Sequence, residues 1–231
     1  MRKTACFAMT MAAMSAGAHE SADPLLFSTT VEQLEWRQNE GEDPLVLEGY
    51  AWLGYDLQKL WLDLDLEYVD GELEELELQA LYSRAFSPYW DWQMGVRYDR
   101  EHDLDRTWAA FGIRGLAPYF FESGAAVFIG ENADVALRLK AEYEILFTQQ
   151  WVLTPELSLN IYGQNDAESA VGSGLSSSDF GWRLRYEIRP ELAPYIGVHW
   201  HRKYGNTADF ARDAGESDRD RQWVLGIRFW F

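Results

Sequence analysis

Sulfur-containing residues are almost absent from most of this chain. Of its 231 residues one is cysteine and five are methionine, and only Met94 among these six lies beyond residue 18. The chain from residue 19 onward therefore has no thiol and cannot form a disulfide.

Long apolar stretches and positive charge are also scarce. Beyond the first residues no run of ~18 apolar residues occurs, which excludes membrane-spanning helices. The chain carries 20 Lys and Arg against 38 Asp and Glu, which gives a formal net charge of −18. Because no basic stripe offsets this charge, we expect no nucleic-acid partner.

The first 18 residues, MRKTACFAMTMAAMSAGA, have the composition of a secretory signal peptide. Arg2 and Lys3 form a basic start, an apolar Ala- and Met-rich stretch follows, and Ala16-Gly17-Ala18 is an A-x-A cleavage pattern. We therefore predict that residues 1–18 are cleaved and that the mature protein is exported.

Residues 61–69, with the sequence WLDLDLEYV, place leucine and acid on strictly alternating positions. A strand sends successive side chains to opposite faces, so the leucines share one face and the acids share the other. A half-buried strand of a soluble protein has this pattern. A transmembrane barrel strand has it too, with the leucines in lipid and the acids in the lumen.

The same alternation recurs along the chain in about twelve segments. Residues 71–81 (GELEELELQAL) also fit a helix, but Asp70-Gly71 is a strong hairpin signal and favours a strand. Long acidic or Gly/Ser-rich connections tend to fall at one end of the strands and short turns at the other, as in outer-membrane barrels. We therefore predict an all-β fold, a closed antiparallel transmembrane β-barrel of about 12 strands at residues 30–231, after a short periplasmic segment at residues 19–29.

Aromatic residues make up 15% of the chain and recur beside the short turns. Three of these turns share a pattern: Ser87-Pro88-Tyr89-Trp90, Ala117-Pro118-Tyr119-Phe120 and Ala193-Pro194-Tyr195-Ile196. The prolines suit turns and strand starts, and the aromatics suit a girdle at the membrane interface. The chain ends in GIRFWF, and a final Phe231 resembles the signal by which outer-membrane barrels are recognised for insertion. We expect an outer-membrane location, with lipid, lipopolysaccharide and, through the Phe231 strand, the barrel-assembly machinery as partners.

Six stretches carry a resemblance to a known family: VEQLEWR, LQKLWLDLDLEYVDGELEELELQALYSRAFSPYWD, TWAAFGIRGLAPYFFE, LRYEIRPELAPYIGV, RKYGNTADFAR and GIRFWF. Together they resemble the copper-resistance protein B family of Gram-negative outer membranes, over residues 23–231. The resemblance implies an outer-membrane barrel that acts in copper tolerance and copper homeostasis, with periplasmic copper proteins as partners. It does not supply a molecular mechanism, because a barrel fold does not fix a function.

The sequence departs from the larger members of that family at one place. Those members carry a Met- and His-rich segment after the signal, whereas only residues 19–23 (HESAD) precede the barrel region here. Soft thioether ligands select Cu(I). The alternation of side chains along its strand places Met94 on the lipid face. Any copper bound by this chain is therefore expected to be Cu(II) rather than Cu(I).

His199 and His201 are the first candidate copper ligands. They share one face of a predicted strand, and Gly197 places that face toward the lumen. Two imidazoles at this spacing can share Cu(II), with lumenal carboxylates completing the site. The alternative is a pair of histidines that only hydrogen-bond to lumenal Asp or Glu.

Acidic residues on the lumenal face of the predicted strands are the second set of candidates. The proposed metal ligands among them are Asp63, Asp65, Glu67, Glu75 and Glu77. Predicted lumenal cations are Arg97, Arg138, Lys140, Arg183, Arg185 and Arg228. Charges buried in a narrow barrel must pair, which predicts an ion-pair network. The acids can also form a surface that attracts cations, and the two interpretations are compatible.

Two other functions, a hydrolase and a cation pore, are alternatives to copper resistance. A serine hydrolase needs a serine close to a histidine, but the serines lie mostly in residues 172–178, which His201 meets only if that loop folds back. We therefore predict no enzymatic activity. A cation-permeable pore needs an open lumen, whereas twelve strands filled by Arg, Glu and Trp leave little bore. The prediction is an outer-membrane barrel that binds or passes copper ions, with a cation pore lacking a copper site as the alternative.

Overall fold

The computed structural model describes residues 24–38, 43–69, 71–101, 104–131 and 133–231. The predicted signal peptide and residues 19–23 of the predicted periplasmic segment lie outside this range. The first strand begins at Leu26 and pairs with its neighbour from that residue onward. The barrel therefore starts four residues before the predicted boundary, because residues 26–29 are already part of the hydrogen-bonded sheet.

The chain folds into antiparallel strands that are joined by short turns or by longer loops. The strands are β1 (Leu26–Gln38), β2 (Leu45–Tyr55), β3 (Gln58–Val69), β4 (Glu72–Ser87), β5 (Trp90–Glu101), β6 (Leu104–Ala117), β7 (Phe121–Gly130), β8 (Val135–Glu142), β9 (Ile145–Leu146), β10 (Trp151–Tyr162), β11 (Gly174–Tyr186), β12 (Leu192–Lys203) and β13 (Arg219–Trp230). A 3₁₀ turn (Pro118–Phe120) precedes β7, and a helix, α1 (Gly205–Asp213), precedes β13. No helix in the described part of the chain is long and apolar enough to cross a membrane.

The sheet closes on itself. From β1 to β8 and from β10 to β13 each strand pairs with the next, β8 pairs with β10, and β13 pairs with β1. Both β8 and β9 pair with β10, so they form one interrupted barrel strand and the barrel has twelve. The ambiguous segment at residues 71–81 lies in β4, which confirms the strand interpretation. The predicted fold is confirmed.

The alternation found in the sequence assigns the two faces correctly. Leu60 and Leu62 are exposed on the outside of β3, whereas Trp61, Asp63 and Asp65 line the interior. Some of the buried apolar side chains form a small cluster inside the barrel rather than a layer between two sheets: Leu81, Trp108, Ala110, Phe128 and Ala136. Most of the remaining interior is polar or charged, with isolated apolar residues such as Val46, because the apolar face of the strands points outward.

The short-turn end carries the predicted aromatic residues with one exception. Tyr89 and Tyr119 are strongly exposed in their turns, as a girdle requires. Tyr195 is buried, and its hydroxyl donates a 2.8 Å hydrogen bond to Glu35. The prediction was wrong for this third copy because Pro194 lies inside β12 rather than in a turn, so Tyr195 takes the lumenal face.

A charge on the outer face should destabilise the barrel strongly. Leu225 lies near the middle of β13 with 58% of its surface exposed on that face. We expect Leu225→Arg to lower the free energy of unfolding by ~2–4 kcal/mol in lipid vesicles, as a buried cation near the bilayer midplane does. Denaturant titration measures this loss, and Leu225→Ala is the control because it removes the leucine without adding charge. Equal losses for Arg and Ala would contradict the lipid-facing assignment.

Candidate functional site

Two large cavities lie inside the barrel among the residues that the structure describes. The outer chamber has a volume of about 690 Å³ and is lined by residues of the long connections, including Glu168 and Glu216. The inner chamber has a volume of about 550 Å³ and reaches the short-turn end at Pro88 and Tyr89. The lumen is therefore not filled completely by side chains.

The two candidate histidines lie together on the wall of the outer chamber. Strand β12 carries both on its lumenal face, and β11 beside it carries Asp179 directly opposite His201. The Nδ1 atom of His201 is 2.6 Å from Oδ1 of Asp179, and the Nε2 atom of His199 is 3.5 Å from the same oxygen. One carboxylate therefore contacts both imidazoles.

One nitrogen of His199 is buried without a partner. The residue is 8% exposed, and its Nδ1 atom has no hydrogen-bond partner among the described residues. Gln222 lies directly across from His199 on β13, and its Oε1 atom also lacks a partner there. A buried polar atom without a hydrogen bond is costly, and an imidazole whose other nitrogen faces a carboxylate is in the state that binds metals.

The predicted acidic ligands are distributed over both chambers. Glu67 and Glu75 line the outer chamber, Asp63 lines the inner chamber, and Asp65 and Glu77 line both. In the parts of the chain that the structure describes, no group of three or more His, Cys, Asp or Glu side chains is arranged to hold a metal ion. Alternation predicts the face of a strand but not the depth at which a side chain lies, so the seven candidates are spread along the lumen.

Glu77 belongs to the ion-pair network that the sequence predicts. Arg138 donates to it through both terminal nitrogens, at 2.6 and 2.9 Å, and Arg97 donates at 2.8 Å. Both guanidinium groups also lie over the ring of Phe128, at 4.6 Å for Arg97 and 5.6 Å for Arg138. A carboxylate held in this way is a structural partner of the arginines rather than an available metal ligand.

A second network, which sequence reasoning did not identify, centres on Glu35. The side chain is completely buried and accepts hydrogen bonds from Arg183, Arg37 and Tyr195. Arg183 also donates to Glu156 at 2.8 Å. The alternation along β1 places Glu35 inside the barrel. Which basic side chains contact it depends on the pairing of β1 with β13 and on the position of β11, and the sequence does not show these.

The long connections fold over the outer chamber. Thr207 of α1 is buried, and its Oγ1 atom accepts a 2.8 Å hydrogen bond from the backbone N–H of Gly172. Arg106 at the start of β6 pairs with Asp166 in the β10–β11 connection. Burial alone would raise the pKa of the Asp166 carboxyl, but hydrogen bonds from Ser169 and Arg106 outweigh it and hold that pKa below its usual value. The mouth of the chamber is therefore narrowed by an ordered connection.

Solved porins share this barrel architecture. The NanC porin matches with a TM-score of 0.59 and 12% identity, covering 88% of this chain and 99% of that chain. The KdgM porin matches with a TM-score of 0.54 and 13% identity over the same shares. At this level of identity the likeness shows the fold alone.

Sequence relatives are far more similar. The model of the family described as copper resistance protein B precursor (CopB) matches residues 25–231. The copper resistance protein B homolog of Pseudomonas syringae pv. tomato (strain ATCC BAA-871 / DC3000) is 42% identical over 213 residues, which is 92% of this chain and 72% of the relative. The copper resistance protein B of Escherichia coli is 40% identical over 213 residues, covering 92% of this chain and 71% of that protein. The chain belongs to the copper resistance protein B family.

Proposed function

We propose that the protein acts in copper resistance by binding Cu(II) in its outer chamber, through His199 and His201. Family membership and the outer-membrane type of barrel support the role in copper resistance. The observation that carries the binding proposal is the buried Nδ1 of His199, which has no hydrogen-bond partner in the described part of the chain and lies close to a second imidazole and a shared carboxylate.

The arrangement suits Cu(II) chemically. Imidazole nitrogen and carboxylate oxygen are ligands that Cu(II) accepts, and copper binds such sites more tightly than the other divalent first-row metals. A carboxylate that holds one nitrogen of a histidine fixes its tautomer and leaves the other nitrogen for the metal. Asp179 takes this position toward His199 and His201, with Gln222 as a neighbouring oxygen donor.

Removal of both histidines should weaken Cu(II) binding by the purified barrel. We expect His199→Ala with His201→Ala to raise the dissociation constant about 10-fold or more. Isothermal titration of the folded protein measures this constant. The matched control removes the other two histidines of the chain, His19 and His102, and should leave tight binding intact. Loss of binding in the control but not in the test variant would overturn the site.

Acid should weaken Cu(II) binding. Only the neutral imidazole binds a metal, so affinity is expected to fall as the solution becomes more acidic and protons compete for the histidine nitrogens. Binding that is unchanged between pH 7.5 and about pH 5.5 would point to carboxylate ligands alone.

Growth across a copper series connects this site to resistance. A deletion strain that carries the double-histidine variant should be copper-sensitive although the barrel inserts normally, which heat-modifiable migration on a gel verifies. Full rescue by that variant would place the resistance function elsewhere in the barrel. A deletion strain without a copper phenotype would contradict the role in copper resistance.

We further propose that the protein is non-enzymatic and resides in the Gram-negative outer membrane after removal of its signal peptide. Its partners there would be lipid and lipopolysaccharide, the barrel-assembly machinery during insertion, and periplasmic copper proteins that exchange the metal. Fractionation of the mature protein with the outer membrane is expected, and recovery as a soluble periplasmic monomer would contradict this location.

A further inference from the structure

The two chambers meet at a layer made only of charged residues. Among the described residues, six side chains line both cavities, and we call them the charged layer: Glu48, Asp65, Glu77, Arg138, Lys140 and Glu156. Every other lining residue belongs to one chamber alone. An ion that crosses the barrel must therefore pass these six groups.

One ion pair of the charged layer spans the full width of the barrel. The Nζ atom of Lys140 on β8 donates a 2.8 Å hydrogen bond to Oε1 of Glu48 on β2. In the closed ring of twelve strands, β2 and β8 are six strands apart in either direction, so they stand on opposite walls. This pair lies directly across the path between the chambers.

Lys140 is also the least restrained cation of the charged layer. Its side chain is 43% exposed to the cavities and makes one hydrogen bond to the described residues, whereas Arg138 is held by Glu77 and Asn160. A lysine ammonium on a flexible four-carbon chain with one carboxylate partner can turn away more readily than a planar guanidinium that is held by two partners.

The charged layer has an excess of acid. With all six groups ionised its formal charge is 2 − 4 = −2, and without Lys140 it is 1 − 4 = −3. Rings of carboxylates select cations in channels, since they replace part of the hydration shell and repel anions. Acids that form no ion pair with a described residue continue the path on both sides, with Glu75 in the outer chamber and Glu142 in the inner chamber.

We propose that the barrel is a cation conduit and that Lys140 closes it by bridging to Glu48. When Lys140 turns away, the carboxylates of the charged layer form a cation-selective constriction between the chambers. This function concerns inorganic cations in general and does not depend on the histidine site.

Conductance of the purified protein in planar lipid bilayers tests the proposal. We expect wild type to conduct weakly and Lys140→Gln to conduct at least about threefold more, with a reversal potential in a KCl gradient that shows cation selectivity. The matched control is Lys203→Gln, which removes a lysine that pairs with Glu216 at 3.0 Å at the outer mouth. This control should conduct like wild type.

A charge swap distinguishes the ion pair from a simple loss of volume. Lys140→Glu combined with Glu48→Lys restores a pair across the lumen and should return conductance toward the wild-type level. Heat-modifiable migration and circular dichroism establish that each variant is folded before it is measured. Wild-type conductance in folded Lys140→Gln, an anion-selective current in that variant, or a swap that conducts as much as Lys140→Gln would overturn the proposal.

Discussion

Replacement of Arg183 by methionine is expected to lower the free energy of unfolding by about 3–5 kcal/mol. The guanidinium donates to both carboxylate oxygens of Glu35, at 2.9 and 3.0 Å, and to Glu156 and Gln33 at 2.8 Å each. Glu35 has no exposed surface. Without Arg183 it keeps Arg37 and the Tyr195 hydroxyl, which leaves a buried carboxylate with too little positive charge around it.

Denaturant titration in lipid vesicles measures this loss of stability. Two further variants show whether the loss comes from the uncompensated charge of Glu35. The double variant Arg183→Met with Glu35→Gln should recover part of the lost stability, because it removes the uncompensated charge as well. Lys203→Met breaks an ion pair whose side chains are 28% and 61% exposed, and we expect it to cost ~1 kcal/mol or less. A loss of that small size for Arg183→Met would show that the interior is solvated enough to screen the Glu35 charge.

The strands and their faces could be predicted from the sequence because each strand separates two environments. Leu60 and Leu62 lie outside while Trp61 and Asp63 lie inside, and a slip of one residue would reverse all four. The same constraint acts on every strand of a closed barrel. The count of twelve therefore followed from the alternation without any knowledge of pairing.

Elements whose stability depends on tertiary contacts were not predicted. The nine residues of α1 are too few for a stable isolated helix. The helix forms because Thr207, Ala208 and Ala211 are buried against the barrel mouth. The sequence shows only a long polar connection there, since part of the surface that buries those three residues comes from the region of β11, where Gly172 and Ser176 bond to Thr207.

Only part of the candidate site could be predicted, because some of its contacts are made between strands. His199 and His201 share a lumenal face as predicted, because residues two apart on a strand always do. Asp179 and Gln222 were missed, although they contact or face those histidines. Their proximity depends on the register of β11 and β13 against β12, and that register is set by the closure of the whole barrel.

Insertion of a single methyl group at Gly95 is expected to cost about 3 kcal/mol of unfolding free energy. An added Cβ atom there would lie 1.9 Å from the carbonyl oxygen of Ala80 and 2.9 Å from Cα of Leu81. Both are backbone atoms of the neighbouring strand β4, so no side chain can rotate away. Leu81 and Ala110, which pair with Gly95 on either side, are buried in the apolar cluster and oppose a shift of the strands.

Gly124→Ala is the matched control, because Gly124 also lies within a barrel strand and lines the inner chamber. An added Cβ atom at Gly124 would lie 3.7 Å from its nearest neighbour, the carbonyl oxygen of Ile113, which is ordinary contact. This variant should match or slightly exceed wild-type stability, since alanine reduces the freedom of the unfolded chain by about 0.4–1 kcal/mol. Thermal and denaturant unfolding of both variants in the same vesicles provide the comparison. Equal stability of the two alanine variants would mean that β4 and β5 can move apart at Gly95 without a loss of unfolding free energy. The close approach of the two strands would then not be required by the packing of the lumen.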